Sequence, residues 1–124
     1  MEVDFETGSE EAVELGKVGL FLFVAGRVNA NIALEFTSLS VDGSPVFPII
    51  HSNLPNGQGV SVRVGTFEQG KQVPIAWKFH THIITQPIDV AIGVLRNPGS
   101  ARTILEKRTI DAFKDYGGTA VVTA

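Results

Sequence analysis

From Val18 to Ala25 the chain reads Val-Gly-Leu-Phe-Leu-Phe-Val-Ala, with no polar side chain, and this run restricts the fold more than any other segment. Along an extended strand Val18, Leu20, Leu22 and Val24 point one way, and Phe21, Phe23 and Ala25 the other. A strand that is apolar on both sides has to be covered on both sides. One face can belong to the core. The second needs another layer or another molecule. The run is far below the roughly 20 residues required of a membrane-spanning helix.

Most apolar positions downstream recur with period two, the spacing of strands rather than helices. Val28, Ala30, Ile32, Leu34 and Phe36 alternate with Asn29, Asn31, Ala33, Glu35 and Thr37. Asp42-Gly43, within Ser40 to Pro45, predicts a hairpin turn, because both residues tolerate positive φ. Pro45 to His51 reads as a returning strand, and Pro48, which has no N–H to donate, assigns it to an edge or a bulge. Asn53 to Gly59 is a loop by composition. Val60, Val62 and Val64 mark another strand, and Gly65 to Lys71 reads as a turn. In the next strand Val73, Ile75, Trp77, Phe79, Thr81 and Ile83 share one face, opposite Gln72, Lys78, His80 and His82. Ile88, Val90, Ile92 and Val94 follow, and Asn97-Pro98-Gly99-Ser100 turns the chain into Ala101 to Ile110. Thr109 to Tyr116 allows a short helix stopped by Gly117 and Gly118, with a last strand over Thr119 to Thr123.

Short strands at this spacing, with no long helical period, predict an all-β fold: an antiparallel β-sandwich of jelly-roll or Ig-like type. The 124 residues suffice for one self-sufficient core. The expected organisation is an acidic N-terminal arm, residues 1–16, followed by a single β-sandwich domain, residues 17–124, with the short C-terminal helix as an option. The arm carries Glu2, Asp4, Glu6, Glu10, Glu11 and Glu14 and no basic residue. The formal charge of −3 therefore hides a body of net +3, built from ten basic and the remaining seven acidic residues. Such an arm is either a solvated terminus or a segment that docks on a basic surface.

Several kinds of chemistry find little support. There is no cysteine, which removes disulfides, thiolate catalysis and cysteine-ligated zinc. Gly65-Thr66-Phe67-Glu68-Gln69-Gly70-Lys71 has the spacing of a phosphate-binding loop, but Gln72 stands where a Ser or Thr should bind magnesium. A strand then follows where a helix N-terminus should meet the anion. His80 and His82 would share a strand face about 7 Å apart at Cα. A metal would need a third ligand, and His51, Glu68 and Asp89 cannot be brought beside the pair by spacing. No nucleophile elbow or His-Glu-x-x-His helix occurs. Basic residues are dispersed apart from a small patch of Arg102, Lys107 and Arg108, which does not suggest nucleic-acid binding. The expectation is a non-enzyme without cofactor or metal, and without a nucleic-acid or membrane partner.

Three stretches carry a family resemblance: Gly16-Lys17-Val18 leading into the apolar strand; Val24-Ala25-Gly26-Arg27-Val28-Asn29-Ala30-Asn31-Ile32-Ala33-Leu34-Glu35-Phe36; and Val41-Asp42-Gly43-Ser44-Pro45-Val46-Phe47-Pro48-Ile49. The pattern resembles the small β-sandwich proteins that decorate or cement the capsids of tailed bacteriophages. It covers about residues 16 to 96 and has no invariant motif. The resemblance implies an architectural protein, made in a host cytoplasm and located in the virion. It would bind the major capsid protein or another virion protein and contact copies of itself as a homo-oligomer. The residues themselves offer Glu2, Asp4 and Glu6 of the arm, and Phe21 and Phe23 of the doubly apolar strand, as partner-binding candidates. Two alternatives stay open. One is a ligand- or carbohydrate-binding module of a phage fibre or tail, with its site in the loops around Asn53 to Gly59 and Gly65 to Gly70. The other is a metal-dependent barrel enzyme built on His80 and His82.

Overall fold

The computed structural model describes residues 16–26, 33–48, 50–53 and 59–124, with 50–53 as backbone. Nine strands are found in this part of the chain: β1 Lys17–Gly26, β2 Leu34–Val41, β3 Ser44–Val46, β4 Ile50–Asn53, β5 Gly59–Glu68, β6 Gln72–Thr81, β7 Ile88–Asn97, β8 Arg102–Ile110 and β9 Asp115–Thr123. They form a five-stranded sheet in the order β4-β5-β1-β7-β8 and a four-stranded sheet in the order β3-β2-β6-β9. Every pairing is antiparallel. The fold is an antiparallel β-sandwich.

The inward faces are the ones that alternation predicts. Leu20, Leu22 and Val24 of β1 meet Val62 of β5 and Ile92 and Val94 of β7 in one cluster with Leu39, Val73, Ile75, Trp77 and Phe79 of the opposite sheet. Phe79 stands at its centre, edge-on to Phe36 at 5.8 Å and stacked on Tyr116 at 5.5 Å between ring centroids. The outer face of β1, the central strand of its sheet, is apolar as well. There Phe21, Phe23 and Leu95 form a second buried cluster.

The turns follow their local chemistry. Asp42 and Gly43 both have positive φ, 55° and 81°, and join β2 to β3 as a two-residue hairpin of the type that suits strand twist. The segment expected as one strand from Pro45 to His51 is divided: β3 edges one sheet and β4 edges the other. Phe47 and Pro48 lie outside both ladders, as a residue without a donor requires. Gly65 to Glu68 belongs to β5, so the expected turn shrinks to Gln69-Gly70, where Lys71 N–H closes on Glu68 O at 3.1 Å.

One local expectation is overturned. Thr109 to Tyr116 contains no helix; β8 runs to Ile110, β9 begins at Asp115, and residues 111–114 form a tight turn. Buried Thr81 secures it, its hydroxyl donating to Asp111 O at 2.5 Å and accepting from Lys114 N–H at 2.9 Å. The Tyr116 hydroxyl accepts from Asp111 N–H at 2.8 Å, and Phe113 takes φ 55°. These bonds use the backbone groups that a helix would need for itself. Gly117 and Gly118, expected as a helix stop, lie inside β9.

Candidate interaction surfaces

The outer face of the five-stranded sheet shows where the doubly apolar strand goes. Phe21 and Phe23 are each only 2% exposed. Phe23 crosses the sheet toward Gly93, where an added Cβ would come within 2.8 Å of the ring, and the Arg102 guanidinium sits 5.4 Å from the Phe23 ring centroid. Of the two destinations open to these rings, burial within the chain is the one observed, and neither is left as bare surface. Glu2, Asp4 and Glu6, the other partner-binding candidates, lie outside the described residues, as does most of the loop from Asn53 to Gly59.

The histidines come together as the spacing predicts, although His82 falls just past the end of β6. Their rings meet edge to face at 5.4 Å. Each is held by a carboxylate from a neighbouring strand: His80 Nδ1 lies 2.9 Å from Asp115 Oδ1, and His82 Nε2 lies 3.1 Å from Glu35 Oε1. Glu35, His80 and Asp115 stand in one row across β2, β6 and β9. The two carboxylates approach the imidazole pair from different strands rather than converging on one point. Among the described residues no group of three or more His, Asp or Glu side chains is placed to hold a metal ion.

The basic patch divides. Arg102 covers Phe23, whereas Arg108 turns to the sandwich edge and lies 4.7 Å from the Tyr116 ring centroid and 3.7 Å from Glu106. Lys107 and Arg108 line, with Asp89 and Thr109, an open depression of about 410 Å³ over β1, β7 and β8. Asp89 is already engaged there by the Thr109 hydroxyl at 2.6 Å. Lys71, the lysine of the phosphate-loop spacing, reaches across to Asp42 Oδ2 at 2.7 Å and so ties one hairpin turn to another.

Among the apolar groups that face solvent, Ile83 is one that periodicity misplaced. Ile83, expected on the inward face of the long strand, is 70% exposed, and Ile84 is buried in its place. The doublet was the available signal: β6 ends at Thr81, and of two adjacent isoleucines in extended chain only one can face inward. Phe113 is 64% exposed. Its N–H donates to the carbonyl of His82, the residue before Ile83, at 3.2 Å, which bonds the two connections to each other. Phe47, at the crossing between the sheets, and Val121, on the outer face of β9, are exposed too.

Comparison with protein-family models, with curated proteins and with solved structures finds no match for this chain.

Proposed function

We propose that this chain is a non-enzymatic structural protein that works by adhering to other proteins, of the kind that decorates or cements the capsid of a tailed phage. The observation that carries the reading is the pair Ile83 and Phe113, both largely exposed and joined through the His82 backbone. Large apolar side chains exposed on two hydrogen-bonded connections support the reading of a contact surface there. Beside them stands the polar row of Glu35, His80, His82 and Asp115, which gives the apolar centre a polar border of the sort interfaces have. The capsid as partner is suggested by the resemblance over residues 16 to 96. The partner would be the major capsid protein or another virion protein, and the place of action the virion. The acidic arm, with Glu2, Asp4 and Glu6, would add contacts across a basic neighbour.

Electron microscopy of particles from the cells that make the chain tests this. Density for a two-sheet sandwich on the particle, weakened when residues 1–14 are deleted although the isolated domain still folds, is the expected result. Particles devoid of the chain would overturn the capsid reading, and unchanged occupancy after the deletion would overturn the role of the arm.

A further inference from the structure

The two sheet edges on the β8 and β9 side are guarded very differently. β8 carries Arg102, Glu106, Lys107 and Arg108, the charges that keep an edge from pairing with other chains. β9 carries no charge and no proline from Tyr116 to Thr123. Its ladder with β6 is free of bulges. Thr81 N–H bonds Lys114 O and Ala124 N–H bonds Lys71 O, and these two bonds bracket the ladder. In an antiparallel ladder bonded and non-bonded pairs alternate, so the even-numbered residues of β9 spend their backbone groups on β6. Gly117, Thr119 and Val121 therefore aim both N–H and C=O outward. All three are exposed.

We propose that this edge pairs with β9 of a second copy of the chain, antiparallel and centred on Thr119. The inference is read from β9 alone and does not depend on the capsid reading. The strand is complementary to itself in that register. Thr119 faces the partner's Thr119, a favourable cross-strand pair. Val121 falls opposite Gly117 and Ala120 opposite Gly118, so that a larger side chain meets a smaller one at each step. Asp115 falls opposite Thr123, which Gln72 Nε2 already contacts at 2.9 Å, so the carboxylate meets hydroxyl and amide groups instead of another carboxylate. A shift of the two-fold centre to Gly118 would put Asp115 against Val121, which disfavours that register. The Thr123 carbonyl already accepts from Arg96 Nε at 2.9 Å, so the pairing is confined to the three facing pairs about the centre, which supply about six backbone hydrogen bonds, two in each pair. The two four-stranded sheets then become one continuous sheet. On the outer face of this sheet Ser40, Gly43, Pro74, Ala76, Thr119 and Val121 line an open apolar depression of about 320 Å³, which the paired sheets would extend.

Sedimentation velocity of the full chain over a range of concentrations, with amide hydrogen exchange, tests the pairing. A dimer is expected, with slow exchange at Gly117, Thr119 and Val121. Val121→Lys and Thr119→Lys, both at exposed positions, should raise its dissociation constant at least about tenfold, ~1.4 kcal/mol, without lowering the melting temperature of the dilute, monomeric chain. Thr119→Cys, in a chain with no other cysteine, should oxidise to a covalent dimer. A monomer at high concentration with fast exchange at the three amides would overturn the proposal. So would a dimer indifferent to both lysines, or slow exchange at these amides only when another protein's extended segment is added.

Discussion

Gly118 lies under the indole of Trp77 so closely that a Cβ placed on it would stand 2.6 Å from Cζ2 of the ring. Its neighbour Gly117 is confined by the Trp77 carbonyl oxygen, 2.8 Å from the same kind of hypothetical atom. The Gly-Gly pair is thus a requirement of packing within β9. Gly118→Ala should destabilise the fold by about 1–3 kcal/mol through displacement of the ring. Chemical denaturation followed by the fluorescence of this single tryptophan measures it, and a native emission spectrum with unchanged stability would show that the strand can give way.

The buried hydroxyl of Thr81 holds the turn that stands where a helix was expected. Thr81→Val keeps the volume and leaves the Lys114 N–H and the Asp111 carbonyl without that partner. A loss of about 1–3 kcal/mol is expected from the stranded groups. Faster amide exchange at Lys114 in this variant would locate the effect at the turn; unchanged exchange there would contradict it.

Phe23 distinguishes a ring that supports the fold from one that waits for a partner. Buried at 2% exposure, it should cost about 3–5 kcal/mol of the isolated chain's stability when replaced by Ala. A loss below 1 kcal/mol, the usual range for a surface site being within about ±0.5, would mean that the outer face of β1 is not closed within the chain.

His80 and His82 each face their own carboxylate, and nothing in their placement gathers a third ligand among the described residues. The His80→Ala, His82→Ala double variant should carry the same metal content as the wild type. Elemental analysis that finds stoichiometric zinc, iron or copper in the wild type and none in the variant would restore the metal-enzyme alternative.

The strand pattern was legible in the sequence wherever one face is buried, because alternation then has a physical cause: Val73, Ile75, Trp77 and Phe79 all point to the core as their spacing predicts. It failed at Ile83, where the strand ends and a local bias toward isoleucine continues. It failed again at Gly117-Gly118, since glycines that make room for an indole look, in sequence, like glycines that stop a helix. The double burial of β1 was readable, but the closing of its outer face within the chain depends on long-range order that no spacing reveals. The exposed pair Ile83 and Phe113 could not be found by periodicity. The two residues belong to different connections and meet only through the Phe113 N–H on His82 O.

That pair is where the proposed adhesive role is most directly tested. The measurement is the distribution of the chain across a density gradient of the lysate in which it is made, comparing wild type with an Ile83→Ser, Phe113→Ser double variant. The wild type is expected to travel with assembled particles and the variant, equally well folded by circular dichroism, to remain at the top. A wild-type chain found only at the top, or a variant that travels with particles as fully as the wild type, would contradict the account.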